Sequence, residues 1–161
     1  MRRVEALGGL LKRIGNFDPE SFINSFEARL IFQKTIYLLQ AFGLYLGYRF
    51  SWYLRGPYSP DLARDGFELV AIYEETPLVR FKRLEAEKRF LQFLAFLGDK
   101  KNDAKWLETL ASIHFLKRVY PPLTKNEIFE KIREKQPYID REYFEKAWEH
   151  LRKHGLISSE G

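Results

Sequence analysis

The sequence predicts a mainly helical protein with a small β-hairpin, that is, an α+β fold. Apolar side chains recur every three or four residues over most of the 161 residues, which is the helical period. Only two short stretches have the pattern of strands. Proline, glycine and capping residues divide the chain into segments of helical length. A chain of this length, 45% hydrophobic and 16% aromatic, is expected to bury a core of its own.

The composition excludes several kinds of site. The chain has no cysteine, which rules out disulfides, thiol nucleophiles and cysteine-ligated zinc. The first 15 residues lack the apolar core of a signal peptide, and no apolar run approaches the length of a membrane span. We therefore expect a cytoplasmic protein. Its net charge of +5 and pI near 9.3 permit contact with nucleic acid without requiring it.

Two short helices are expected at the N-terminus. Apolar residues spaced by three and four predict a helix over residues 3–14, which Gly15 would end. Asp18 is a good N-cap, and Pro19 suits the first position of a second helical segment.

The most apolar stretch, Phe26 to Gly43, predicts a central helix that is buried on nearly every side. Its few polar residues fall along one narrow stripe, here called the polar stripe: Arg29, Gln33, Lys34 and Gln40. The polar stripe is either the only wet face of this helix or the lining of a site.

The β element is expected directly after this helix. Residues 48–54 alternate in the period of a strand, and Gly56 with Pro57 predicts a turn. Ser59 is the expected N-cap of a helix that runs to residue 75. Residues 77–84 are a candidate second strand, pairing with the first.

The C-terminal half is expected to be helical. A helix is predicted over residues 84–98, and the charged run that follows it marks a candidate boundary. Three further helices are predicted, over residues 104–119, 124–135 and 140–154. The sequence therefore predicts two regions, residues 1–98 with the β-hairpin and residues 104–161 packed on them. The alternative is that both regions form one single domain. The second region is predicted to be winged-helix-like, because its last helix ends on Gly155 and returns apolar residues to the core.

One segment resembles a known family. A helix with the run QKTIYLLQ is followed by an aromatic strand and by RGPYSP, an order similar to that of the Panacea domain, the SocA-like antitoxin and proteolytic-adaptor family. The matching residues are Lys34, Tyr37, Leu38, Gln40, Trp52, Gly56 and Pro57. The resemblance implies a non-enzymatic protein-binding module that neutralises a toxin or presents a substrate for proteolysis.

The same segment supplies the candidate partner-binding surface. Its members are Lys34, Tyr37, Gln40, Trp52, Arg55, Gly56, Pro57 and Tyr58. Aromatic residues and arginine dominate the energetics of protein interfaces, which favours recognition of another protein. The alternative is structural: Tyr37 and Trp52 would belong to the core, and Gly56 and Pro57 would only turn the chain. The oligomeric state is open between monomer and homodimer.

A winged-helix transcriptional regulator is the alternative function, with nucleic acid as the partner. Its contacts would come from the last helix: Arg141, Lys146, Arg152 and Lys153. Acidic residues near the start of that helix have the wrong sign for phosphates. No enzyme, cofactor or metal site is expected, because no catalytic motif occurs and the pair His150 and His154 lacks further ligands. His114 falls on an apolar helix face and is expected to be a hydrogen-bonded core histidine.

Overall fold

The computed structural model of the chain describes residues 1–158. Within that range lie eight α-helices and one two-stranded antiparallel sheet, so the prediction of a mainly helical α+β fold is confirmed. The helices are α1 Arg3–Ile14, α2 Pro19–Asn24, α3 Phe26–Ala41, α4 Pro60–Ile72, α5 Leu84–Leu97, α6 Ala104–Val119, α7 Lys125–Lys135 and α8 Arg141–Lys153. Short 3-10 turns at Tyr73–Glu75 and Gly98–Lys100 follow α4 and α5.

The helices begin where capping chemistry places them. The side chain of Asp18 accepts a hydrogen bond from Ser21 N at 2.9 Å, and that of Ser59 accepts one from Leu62 N at 3.2 Å. Thr124 forms a reciprocal capping box with Glu127 at the start of α7. These bonds satisfy backbone N–H groups that have no partner inside the helix.

Helices α3 and α6 form the centre of the molecule and pack against each other. Every residue from Leu30 to Leu39 is buried, which confirms the predicted central helix. Every residue from Trp106 to Leu116 is buried as well. The cluster of buried apolar side chains runs continuously from Val4 in α1 to Ile157 near the end of the described chain.

The small sheet is formed by neighbours in sequence. Strand β1, Ser51–Tyr53, pairs with β2, Gly56–Tyr58, through the partners Trp52 and Pro57. The expected turn at Gly56 and Pro57 is therefore wrong, since both lie in β2 and the turn is at Leu54 and Arg55. Gly56 has φ 94°, the positive-φ conformation often found after a tight hairpin turn.

The predicted strand at residues 77–84 is also wrong, because residues 77–83 form no regular structure. Side chains of α1 take the place of a strand partner there. Lys12 Nζ donates to Thr76 O at 2.5 Å, and Arg13 Nη1 donates to Val79 O at 3.0 Å. The segment can lie this close because Gly9 has no side chain: a Cβ on it would collide with Pro77 O.

The C-terminal half contains α6, α7 and α8, and residues 104–158 contain no strand. Residues 159–161 of the predicted second region lie outside the described residues. Whether this half is winged-helix-like stays a prediction. None of the helices in residues 1–158 is long and apolar enough to cross a membrane.

Candidate protein-binding groove

The structure places most of the candidate partner-binding residues where the hairpin packs on α3 and α6, whereas Gln40 lies towards the other end of α3. Their exposure divides them. Four are buried, namely Lys34, Tyr37, Gly56 and Pro57, and four are half-buried, namely Gln40, Trp52, Arg55 and Tyr58. Tyr37 is a core residue, in contact with Phe50 and His114. Trp52 stacks on Phe115 with ring centroids 5.9 Å apart.

The polar stripe of α3 binds the backbone of the segment from residue 46 to residue 59. Gln33 and Ser59 exchange two hydrogen bonds, of 2.9 and 3.0 Å. Lys34 Nζ donates to Pro57 O at 2.6 Å. Gln40 accepts from the backbone N of Leu46 and Tyr48 and donates to Tyr48 O, all within 3.1 Å. These three members of the stripe therefore hold the backbone of that segment, and a contact of Lys34 or Gln40 with a partner stays a prediction.

A buried carboxylate lies on the other side of the hairpin. Glu108 in α6 is 0% exposed and accepts hydrogen bonds from Arg55 Nε at 3.1 Å, from Gln136 Nε2 at 2.8 Å and from the Tyr138 hydroxyl. Burial lowers the pKa of Lys34 to about 7, although the charge of Glu108 opposes the shift. Burial, and then the hydrogen bond to Glu108, raises the pKa of Tyr138. These groups fix the hairpin between α3 and α6.

An apolar groove of about 340 Å³ opens between α2, α3, the hairpin and α4. Four large apolar side chains on its walls are exposed: Phe26 by 58%, Tyr53 by 59%, Leu54 by 64% and Phe67 by 52%. This site is called the apolar groove below, and these four residues are its exposed walls. Contiguous exposed apolar surface of this kind marks interaction sites in monomeric proteins.

The apolar groove is electropositive. Arg29 and Arg55 are its charged lining residues and no acidic residue lines it, whereas Lys34, which also lines it, is buried and bound to Pro57 O. Arg29 Nη1 donates to Phe22 O at 2.7 Å and to Ile23 O at 3.0 Å, so backbone carbonyls hold it without neutralising its charge. Helices α3 and α4 both begin beside the groove, and helix N-termini carry partial positive charge.

Sequence reasoning missed the exposed apolar walls and the buried carboxylate. Phe26 and Leu54 did carry a signal, since one is the first residue of a helix and the other occupies a hairpin turn. Apolar side chains at such positions are often too far from the core to be buried in it. The burial of Glu108 and its bond to Arg55 could not be predicted from the sequence pattern, because the two residues are 53 positions apart.

Three of the four candidate nucleic-acid residues of α8 are paired with acids. Arg141, Lys146 and Arg152 form ion pairs with Glu145, Glu142 and Glu149, respectively, and Lys153 is exposed. Pairing within one helix reduces the positive field that phosphates require, so this surface is unfavourable for DNA. The Nε2 atom of His150 lies 2.9 Å from Phe96 O.

Comparison with known proteins assigns no family. No family model and no solved structure was found to match the chain. Over 70 residues the chain is 35% identical to the DNA-directed RNA polymerase subunit Rpo3 of Methanobrevibacter smithii. This similarity covers 44% of the chain and 24% of that subunit, so the chain spans about a quarter of the length of the relative it matches.

Proposed function

We propose that the chain is a non-enzymatic protein-binding module whose apolar groove receives an apolar, acidic segment of another protein. The resemblance to the Panacea domain supports an antitoxin-like or adaptor-like role, with a toxin or a protease substrate as the partner. A cytoplasmic location and a winged-helix-like C-terminal half belong to the same proposal.

One observation carries this proposal: four large apolar side chains stand exposed around a single groove. Single exposed apolar residues are ordinary on protein surfaces. Here Phe26 comes from α3, Tyr53 and Leu54 from the hairpin, and Phe67 from α4, so three separate elements converge on one place. The hairpin is held by buried hydrogen bonds, so its two exposed residues are presented by a rigid element.

The charge of the apolar groove supports acidic partner residues. Arg29 and Arg55 line it, and no carboxylate among the lining residues faces them there. Arg55 does bind Glu108, but that carboxylate is fully buried behind the hairpin. A hydrogen bond to a charged group contributes about 1.5–3 kcal/mol. A partner segment that combines bulky apolar side chains with aspartate or glutamate therefore complements this site.

Selection from a random peptide library tests the proposal without knowledge of the natural partner. Peptides enriched on the wild-type protein are expected to combine aromatic or aliphatic residues with acids. Their affinities are then measured by fluorescence anisotropy for the wild type and for the variants Phe26→Ser and Leu54→Ser. Both side chains are more than half exposed, so the melting temperature should stay close to that of the wild type.

Leu91→Ser is the matched control, because Leu91 is 52% exposed on α5 and does not line the groove. We expect about a tenfold or greater loss of affinity for the two groove variants, which corresponds to about 1.4 kcal/mol or more. The control should bind like the wild type. Failure to enrich any peptide, or equal binding by all four proteins, would contradict the proposal that the groove binds a partner segment. Arg55 is less suitable for this test, since its loss also leaves Glu108 without its cation.

A further inference from the structure

A second cleft lies at the opposite end of α3 from the apolar groove. It has a volume of about 730 Å³ and lies between the end of α3, the loop around residues 45–50 and the last turns of α6. This volume is within the range of small-molecule sites. The two sites share no lining residue, so the inference from this cleft is independent of the proposed function.

The polar groups that face the cleft are mainly cations and donors. Arg49 and Arg118 line it, and neither forms an ion pair with any residue in the described range 1–158. No acidic residue is among the lining residues. The only amide there, that of Gln40, is already bound to the backbone of the adjoining loop.

His114 contributes a further donor. The Tyr37 hydroxyl lies 2.7 Å from His114 Nδ1. Burial raises the pKa of Tyr37, and the positive charge of Arg118 opposes that rise. A cation near the hydroxyl oxygen favours the arrangement in which the hydroxyl donates to Nδ1 and the ring proton is on Nε2. Burial, and then the charge of Arg118, lowers the pKa of His114 to about 4, so the ring is neutral at neutral pH. Nε2 has no hydrogen-bond partner within the described chain, and His114 is among the residues that line the cleft.

Two helix ends oppose this positive charge without cancelling it. Helices α3 and α6 both end beside the cleft, at Ala41 and Val119, and a helix C-terminus is equivalent to about half a negative charge. Two such ends amount to roughly one negative charge. Arg49 and Arg118 contribute two full positive charges, so the cleft retains a net positive field.

Aromatic side chains form the rest of the lining. Tyr45 is 69% exposed and makes no ring contact with any residue in the described range. Phe50 and Phe115 lie on the inner wall, where they pack on Tyr37. A free aromatic face beside two guanidinium groups suits a ligand that has a flat ring and an anionic group.

We propose that this cleft binds a nucleoside phosphate, with the phosphate at Arg49, Arg118 and His114 Nε2 and the base on the ring of Tyr45. Guanidinium groups bind phosphate through charge-assisted hydrogen bonds, often two at a time. Nucleobases stack on exposed tyrosine rings. The same chemistry is offered by a free nucleotide and by one unit of a single-stranded nucleic acid.

Calorimetric titration of the purified chain with adenosine 5′-monophosphate, adenosine and a six-nucleotide oligoadenylate tests the proposal. We expect the monophosphate or the oligonucleotide to bind about tenfold or more tightly than adenosine. The variants Arg49→Gln and Arg118→Gln should each lose about tenfold in affinity, as expected for one charge-assisted contact. Arg64→Gln, an exposed change on α4 outside the cleft, should bind like the wild type.

The ratio of the affinities for the oligonucleotide and the monophosphate identifies the source of the nucleotide. Tighter binding of either over adenosine, together with losses in both arginine variants, supports the site. Equal affinity for all three ligands, or unchanged binding by the arginine variants, overturns it. A second measurement uses only wild-type protein: the NMR signals of the His114 ring should shift when the monophosphate is added, and an unmoved His114 overturns the assignment of its Nε2 as a donor.

Discussion

Replacing Lys34 with methionine should abolish most of the rise in stability that we expect of the wild-type protein between pH 7 and pH 9. The Lys34 side chain is buried, with 1% exposure, and burial lowers its pKa from 10.5 to about 7. Between these two values the unfolded chain binds a proton that the folded chain does not. The free energy of unfolding therefore increases with pH in this window, by up to about 1.4 kcal/mol per pH unit.

The expected rise from pH 7 to pH 9 is about 2 kcal/mol, since Lys34 is already half deprotonated at the lower pH. Methionine fills a similar volume without a charge, so its variant should show little of this rise. The window stops at pH 9 because buried tyrosines then act in the opposite direction. Burial raises the pKa of Tyr37 and of Tyr48, so the unfolded state loses those protons first and stability falls as the pH increases further.

Urea denaturation at pH 7, 8 and 9 measures the effect, with Trp106 and Trp148 as buried fluorescent probes. Lys88→Met is the matched control, because Lys88 is an exposed lysine on α5, and this variant should keep the wild-type rise. If Lys34→Met and the wild type gain the same stability over this range, the ammonium group is solvated in the folded protein. The desolvation argument for the buried cluster would then be refuted.

Substitutions of Gly56 and Glu108, each with a matched comparison, test how the hairpin is held between α3 and α6. Gly56→Ala should lower the free energy of unfolding by about 2 kcal/mol or more, because φ is 94° and a Cβ would collide with Ser112 Oγ. Gly155→Ala, where φ is 76° and nothing lies within 4 Å, should cost only about 1 kcal/mol, and equal losses would contradict the collision. Glu108→Ala should cost about 3–5 kcal/mol in urea denaturation, since Arg55 and its neighbours lose a buried acceptor. Glu108→Gln keeps the shape and one acceptor oxygen and should cost less, and a cost as large as that of alanine would show that the negative charge, and not the shape, decides.

The helices were predictable from the sequence, and the pairing of the strands was not. Capping residues such as Asp18 and Ser59 act within a few residues of themselves, so the local sequence determines where α2 and α4 begin. The alternation over residues 48–54 predicted a strand, but only Ser51–Tyr53 forms one. The amide of Gln40 binds the backbone at Tyr48, where a strand partner would otherwise be needed.

The proximity of two candidate residues was predictable from the sequence, and the burial of Lys34 was not. The sequence placed Lys34 and Arg55 in one region, and the structure brings both to the lining of the apolar groove. It could not show that Lys34 is buried, because burial depends on α6, which follows about 70 residues later. The exposure of Phe67 could not be predicted from the sequence either, because a phenylalanine within an amphipathic pattern is ordinarily a core residue.

The polar stripe explains why the hairpin can present apolar residues to solvent. A backbone polar group that is buried without a partner costs free energy comparable to a lost hydrogen bond. Residues 46–59 form only a very short sheet, so much of their backbone needs other partners, and Gln33, Lys34 and Gln40 supply them. These side chains therefore hold in place the backbone that presents the site.

This division of roles determines how a mutational screen for partner binding should sort the residues. Substitution of Gln33 or Gln40 removes buried partners of the backbone, so binding and stability should be lost together. Substitution of Phe26 or Leu54 changes only exposed apolar surface, so binding should be lost while stability is kept. Loss of binding alone at Gln33 would mean that its amide contacts the partner, which the two bonds that it shares with Ser59 argue against.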